Sequence, residues 1–283
     1  MKSSIFCSLF ILAVLLIPTA AHADTVDLSK LTGKGIAIYG WRNGVPTVLY
    51  QKKQQYLFPI ASITKLATAK AAVQLYPATT TFVMSPEAMM NTQEDNGAML
   101  PGMTFARDDM LRALLVSSSN AVANQLLASA PAGTFLAVMN AFLHDNKYTT
   151  TSFVNPSGLD PEDKKIAPNR LTPKSLSYMM SDIYRTDPLL VDIMKQKEGI
   201  ITDIVSGTKL NLRTSNRINR DDLYKDKIII SKTGITDLSG QSLAFVTSGE
   251  GRYDYVTVVF LGAKNRYTDG ILIIDWLQQV LRF

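Results

Sequence analysis

The first part of the chain alternates between apolar and polar positions and then changes to a helical spacing. Alternation covers residues 34–51 and is interrupted by Asn43-Gly44. Alternation is typical of half-buried strands, and an Asn-Gly pair between two such runs is typical of a tight hairpin turn. Over residues 62–75 the apolar positions follow a helical period, with alanine and leucine dominant. The pattern therefore predicts a β-hairpin followed by a helix.

The rest of the chain is predicted to be helical in its middle and to return to strands near its end. Residues 106–194 are mostly of helical character, with helix starts at Thr172-Pro173 and Asp187-Pro188, where a capping residue precedes a proline. The later elements are β-rich runs at 227–232, 241–248 and 253–262 and a closing amphipathic helix at 271–281. The expected fold is α/β of the α+β kind, with one antiparallel sheet built from both ends of the chain. A mostly helical region inserted over roughly residues 80–200 would form a second layer, and a groove between the layers is the expected site.

The N-terminal segment has the layout of a secretory signal peptide. A weakly positive start is followed by an apolar run over residues 5–17 and by the small-residue sequence Ala21-His22-Ala23. We expect cleavage after residue 23, which leaves a single domain at 24–283 in a periplasmic or other extracytoplasmic compartment. A retained anchor is the alternative, although a membrane-spanning helix needs about 20 apolar residues.

Removal of that segment restricts the available chemistry. It takes away Cys7, the only cysteine, and leaves His144 as the one histidine of the mature chain. A thiol nucleophile is then excluded, and a zinc site based on two or three histidines is not expected. The position of His144 near the end of an amphipathic stretch favours a surface role over a catalytic one. The net charge of +5 is mild and has no lysine or arginine run of the kind that binds nucleic acid. No metal, cofactor or nucleic-acid partner is expected.

Ser62-Ile63-Thr64-Lys65 opens the first predicted helix and could form a nucleophile and base pair. The i, i+3 spacing places a hydroxyl and an amine on one helix face. The amine can act as a base only if burial or a nearby cation lowers its pKa below about 10.4. The same spacing recurs at Ser206 and Lys209, where the sequence predicts a turn. The pattern is therefore weak evidence when it stands alone.

Two further polar groups change that assessment. Ser118-Ser119-Asn120 lies between helical segments, and Lys232-Thr233-Gly234 lies at the end of a predicted strand. Lysine and threonine can hold an anionic group, and glycine lets a substrate backbone approach closely. The three motifs in this order are the signature of penicillin-binding proteins and class A β-lactamases.

The sequence resembles the low-molecular-mass penicillin-binding proteins, the D-alanyl-D-alanine carboxypeptidase and D,D-endopeptidase family of serine peptidases, from about Gly33 onwards. The segments at 59–65, 155–160, 214–217 and 232–236 also support this resemblance. It implies a β-lactamase and transpeptidase-like fold. The implied roles are Ser62 as acylated nucleophile, Lys65 as its base, Ser118 and Asn120 as proton and amide partners, Lys232, Thr233 and Arg266 as carboxylate ligands, and Ile235, after Gly234, as an oxyanion donor together with Ser62.

The implied substrates are peptidoglycan stem peptides, with β-lactam antibiotics as covalent inhibitors and no stable membrane anchor after signal cleavage. The sequence departs from many relatives at Ala121 and at Ser157. Carboxypeptidase action on D-alanyl-D-alanine ends is the leading interpretation, and endopeptidase action on D-alanine cross-links is its first alternative. A β-lactamase, with Glu162 as the residue that holds water, and an inactive wall-binding module are further alternatives.

Overall fold

The computed structural model describes residues 26–90, 92, 99–148 and 151–281. The predicted signal peptide, with Cys7 and His22, lies outside these residues. Within the described ranges, no helix is both long enough and apolar enough to cross a membrane.

Eleven strands and seven α-helices are named here in chain order for the described residues. The strands are β1 (Gly35–Arg42), β2 (Val45–Lys52), β3 (Phe58–Pro59), β4 (Thr81–Val83), β5 (Thr104–Ala106), β6 (Arg170–Leu171), β7 (Glu198–Thr202), β8 (Lys209–Arg213), β9 (Ile230–Thr236), β10 (Gly240–Ser248) and β11 (Tyr255–Ala263). The helices are α1 (Lys65–Leu75), α2 (Arg107–Arg112), α3 (Asn120–Ala128), α4 (Thr134–Asp145), α5 (Pro173–Thr186), α6 (Pro188–Met194) and α7 (Arg266–Leu281).

The central sheet joins the two ends of the chain, as the sequence predicts. Its five antiparallel strands follow the order β2-β1-β11-β10-β9. In the register of β1 with β11, Gly35 lies opposite Leu261. Both Asn43 and Gly44 have positive φ angles, of 52° and 76°, as the predicted tight turn requires.

Alternate residues of β1 face two different cores. Ile36 and Ile38 pack with α7, whereas Tyr39 and Trp41 pack on the side of α5 and the central helices. Polar contacts connect α5 to this second face of the sheet, because Ser177 Oγ lies 2.9 Å from Thr257 Oγ1 and Ser181 Oγ lies 2.7 Å from the Tyr255 hydroxyl. The predicted packing of the closing helix and of a helical layer on the sheet is confirmed.

Several element boundaries differ from the prediction. The strand predicted at 227–232 runs instead from Ile230 to Thr236, so the Lys-Thr-Gly motif lies inside β9 and not at its end. The helix predicted from residue 62 begins with a 3₁₀ turn, Ala61–Thr64, before α1. At the start of α6, Asp187 makes no side-chain cap and pairs with Lys70 at 2.9 Å instead.

Candidate active site

Ser62 and Lys65 lie in contact at the junction of the 3₁₀ turn and α1. Lys65 Nζ donates to Ser62 Oγ at 2.8 Å. The Lys65 side chain is fully buried, whereas Ser62 is partly exposed. The serine is therefore accessible from outside, while the amine beside it is shielded from bulk water.

A tight loop contact fixes the position of this turn. Gly158 has a φ of +81°, and a Cβ on it would lie 1.9 Å from the carbonyl oxygen of Ala61. Only glycine fits there, because its backbone both approaches the turn closely and adopts a left-handed conformation. In the same loop, the carbonyl of Ser157 accepts from Lys65 Nζ at 3.0 Å, and that of Pro156 accepts from Thr68 at 2.6 Å.

Asn120 holds the amine of Lys65 from the opposite side. Its side-chain oxygen accepts from Lys65 Nζ at 2.5 Å, and its amide nitrogen donates to the carbonyl of Thr92 at 2.8 Å. Asn120 is the first residue of α3, and Ser118, two residues earlier, ends a π-helical turn with a φ of +69°. This left-handed residue reverses the chain so that both side chains reach one cleft.

The third motif approaches from the edge of the sheet. The fully buried Lys232 donates from Nζ to Ser118 Oγ at 2.7 Å. The Thr233 hydroxyl lies 2.7 Å from that of Ser215. A Cβ on Gly234 would lie 2.7 Å from the carbonyl oxygen of Ile60, so the glycine lets β9 pass close to the turn that carries Ser62.

Arg266 and Ile235 extend this edge. Arg266, at the start of α7, donates to the carbonyl of Gly234 at 3.1 Å. Burial, and secondly the charge of Arg217, lower the pKa of the Arg266 guanidinium, which remains a cation at neutral pH. The side chain of Ile235 is exposed, which leaves its backbone as the part of this residue suited to a role in the site.

Three hydrogen bonds from two lysines connect the motif residues across the cleft. Lys65 joins Ser62 to Asn120, and Lys232 joins β9 to Ser118. His144 takes no part, because it lies on α4 and contacts the carbonyl of Thr151. In the second Ser-x-x-Lys copy, Ser206 lies in the turn between β7 and β8, where the sequence predicts a turn, and Lys209 is the first residue of β8.

Sequence reasoning missed the partners that hold these residues in place. The carbonyls of Ser157 and Thr92 carry no side-chain signal. Asp160 is a comparable case, because its carboxylate accepts from Thr236 Oγ1 at 2.9 Å and from the Leu238 N–H at 3.0 Å. The segments at 155–160 and 214–217 support the resemblance, but their sequence alone does not predict these contacts.

The arrangement suits nucleophilic attack at a carbonyl by a serine. A hydroxyl next to a buried amine can lose its proton as it attacks, and the cationic side chains of Lys232 on β9 and Arg266 on α7 can hold an anionic part of the substrate.

The comparisons with known proteins agree with this chemistry. The family model described as D-alanyl-D-alanine carboxypeptidase, peptidase family S11, matches residues 43–265. The chain is 28% identical over 239 residues to a D-alanyl-D-alanine endopeptidase of Pseudomonas aeruginosa, which covers 82% of this chain and 73% of that protein. It is 25% identical over 289 residues to a D-alanyl-D-alanine endopeptidase of Escherichia coli, with 98% and 88% covered.

A solved structure gives the same result for the fold. Penicillin-binding protein D2 of Listeria monocytogenes, in its ampicillin-bound form, superposes with a TM-score of 0.67 at 23% identity, over 89% of this chain and 97% of that one. The predicted penicillin-binding-protein fold is thus confirmed. Because the family model matches most of its length, this chain belongs to the D-alanyl-D-alanine carboxypeptidase family of serine peptidases.

Proposed function

We propose that the protein hydrolyses the peptide bond that follows a D-alanine residue in peptidoglycan stem peptides, through an ester on Ser62. The observation that supports this proposal most directly is the contact of Lys65 Nζ with both Ser62 Oγ and Asn120 Oδ1. Attack by a serine needs a base within hydrogen-bonding reach, and Lys65 meets that condition at 2.8 Å.

Burial makes Lys65 suitable for that role. Removal of an amine from water disfavours its charged form, and a second cation in the same cleft acts in the same direction. Lys232 is the neighbouring cation that we assign to this effect, since it contacts Ser118 on the other side of the cleft. Uncharged Lys65 then takes the Ser62 proton as Oγ attacks the D-alanine carbonyl.

The other motif residues act on the two ends of the breaking bond. The backbone N–H groups of Ser62 and Ile235 stabilise the oxyanion. Ser118 accepts a hydrogen bond from Lys232 at 2.7 Å. We assign it the proton relay: Ser118 gives its hydroxyl proton to the leaving nitrogen and takes up in return the proton that Lys65 removed from Ser62. Lys232, Thr233 and Arg266 bind the carboxylate of the residue that leaves. Water then hydrolyses the ester and releases the shortened peptide.

Endopeptidase action is the second candidate, because both curated relatives described above are D-alanyl-D-alanine endopeptidases. In a cross-link, as in a free D-alanyl-D-alanine end, a D-configured centre with a free carboxylate follows the scissile amide. One set of carboxylate ligands therefore serves either substrate. Both substrates belong to the cell wall, outside the cytoplasm, which agrees with the predicted signal peptide.

β-Lactams mimic the acyl donor and are expected to form a lasting ester on Ser62. The Listeria protein with bound ampicillin supports this expectation by its shared fold. Rapid β-lactam turnover is not expected, because Glu162 is an exposed residue of the 161–165 segment. A residue in that position lacks the enclosed setting that a water-activating carboxylate needs.

The test combines labelling with product analysis. Wild type and Ser62→Ala are incubated with a fluorescent penicillin, with a pentapeptide ending in D-alanyl-D-alanine, and with a cross-linked muropeptide, and products are identified by mass spectrometry. We expect one label per wild-type chain and loss of D-alanine or opening of the cross-link. Ser62→Ala should show neither reaction. Labelling of Ser62→Ala would contradict the assignment, rapid nitrocefin hydrolysis would favour a β-lactamase, and absence of all reactions would favour an inactive wall-binding module.

A further inference from the structure

A cationic cavity, separate from the cleft that holds Ser62 and Lys65, lies beside the edge of the site where the substrate carboxylate is proposed to bind. Its volume is about 290 Å³, and it is lined by Arg217, Arg220, Asp221 and Tyr267. None of these four residues takes part in the catalytic steps proposed above.

The two arginines face the same way because of the local helix type. Arg217–Arg220 is a 3₁₀ helix, in which side chains three residues apart lie on one side. Both arginines are exposed, and within the described ranges neither forms a salt bridge. Two adjacent guanidinium groups are therefore available to an outside anion.

The 3₁₀ helix is held firmly against the rest of the protein. Ile218 is buried, and a Cβ on Gly270 of α7 would lie 2.4 Å from its Cδ1 atom. Asn216 Nδ2 donates to Ser231 Oγ of β9 at 3.0 Å. The backbone that carries the arginines is thus positioned by both α7 and β9, which favours a formed site over a mobile surface.

The one carboxylate of the cavity is already engaged. Asp221 accepts from the Tyr267 hydroxyl through one oxygen and from the Leu223 N–H at 3.0 Å through the other. The Tyr267 bond, followed by the Leu223 bond, lowers the pKa of Asp221. Asp221 therefore connects the 3₁₀ helix to α7, and the two arginines leave the cavity with an excess of positive charge.

The cavity continues from the carboxylate ligands of the proposed site. Ser215, two residues before Arg217, contacts Thr233, and Tyr267 follows Arg266 in the chain. Arg217 is also close enough to Arg266 for its charge to affect that guanidinium. Any part of a substrate that extends past the bound carboxylate on this side would reach the two arginines.

We infer that Arg217 and Arg220 form an anion subsite for a second carboxylate, carried by the leaving peptide of a cross-linked substrate. The inference rests on the proposed function and deepens it. Free D-alanine, the leaving group of a carboxypeptidase reaction, has only the carboxylate next to the broken bond. A leaving stem peptide carries further carboxylates, so this subsite favours endopeptidase action.

The test uses three substrates: a pentapeptide, a cross-linked dimer, and the same dimer with every leaving-peptide carboxylate amidated except the one next to the scissile bond. For Arg220→Ala we expect about a fivefold fall in kcat/KM on the free dimer, mainly through KM, as expected for lost ground-state binding. The pentapeptide and the amidated dimer should change by less than twofold. Arg220→Lys should retain at least half of the wild-type value, and Arg252→Ala, a matched loss of an exposed arginine, should change none.

The outcomes separate this inference from the function on which it rests. If Arg220→Ala lowers all three rates equally, or if its loss persists on the amidated dimer, the subsite is wrong. The same holds if wild type cleaves the pentapeptide but not the dimer. If wild type cleaves no substrate, the proposed function itself fails.

Discussion

The two Ser-x-x-Lys copies have the same spacing and opposite surroundings. Ser62 and Lys65 lie where a 3₁₀ turn enters α1, and the amine is buried against the hydroxyl. Ser206 lies in the turn between β7 and β8, where its hydroxyl donates to the Asp203 carboxylate, and Lys209 is an exposed residue of β8. The same spacing therefore brings the amine to the hydroxyl only where a helix and a covering loop hold the two side chains together.

Replacement of the lysines should give the largest contrast between the copies. Lys65→Met removes the proposed base and should slow acylation by a labelled penicillin about a thousandfold. Lys209→Met should leave the acylation rate within a factor of two. Stopped-flow labelling measures both, with circular dichroism to verify folding. Equal rates in the two variants would show that Lys65 is not the base.

Replacement of one glycine near each copy by alanine should separate two costs in stability: that of a steric overlap and that of a left-handed backbone conformation. Gly158 and Gly207 both have positive φ, but a Cβ on Gly158 meets Ala61, whereas a Cβ on Gly207 meets nothing within 4 Å. We expect Gly207→Ala to cost about 1 kcal/mol, the price of a left-handed alanine. Gly158→Ala should cost more than about 3 kcal/mol, because a backbone overlap is added to the same conformational strain.

Urea unfolding measures the two free energies, and penicillin labelling of the folded fraction gives a second readout. Gly158→Ala should also label more slowly, because the loop that it displaces provides the Ser157 carbonyl to Lys65. A similar cost for the two variants would mean that the loop can move away from the turn.

The turn that carries Ser206 should contribute to the free energy of unfolding in a way that depends on pH. The Ser206 hydroxyl, followed by the Thr104 N–H, lowers the pKa of Asp203 to about 2, from an ordinary value of 3.8. A carboxyl whose folded pKa is lowered stabilises the fold above its unfolded pKa, and this contribution is lost as the pH falls through the folded value. The difference in unfolding free energy between wild type and Asp203→Asn should therefore be largest above pH 4 and shrink towards pH 2.

Chemical denaturation across that pH range measures the difference. Ser206→Ala should show the same trend in weaker form, and Ser62→Ala should not show it. A difference that does not change with pH would indicate that packing, and not the charge of Asp203, stabilises the turn.

Local sequence signals predict the parts of this fold that local physics determines. Asn43-Gly44 gives the hairpin because both residues tolerate a positive φ, and Thr172-Pro173 gives α5 because the threonine side chain accepts from the Ser175 N–H. The extent of β9 was predicted wrongly because polar residues of a strand normally suggest its end. Here Lys232 and Thr233 are buried in the site.

The supporting contacts of the site could not be predicted from one sequence. Lys65 contacts the carbonyl of Ser157, which is 92 residues away, and Asn120 contacts that of Thr92. Backbone carbonyls are present in every residue, so sequence cannot show which one faces the amine. The motif side chains, by contrast, are chemically distinctive and have fixed local spacing.

The pairing of β1 with β11 also means that the central sheet cannot be completed until nearly the whole chain is available. Gly35 cannot pair until Leu261, its partner in the register, is present. Until that later strand is available, β1 lacks one of its two neighbours, and contacts this far apart in sequence form slowly. Ser62 likewise depends on Lys232 of β9, far along the chain, so an incomplete chain carries the serine without the proposed reaction centre.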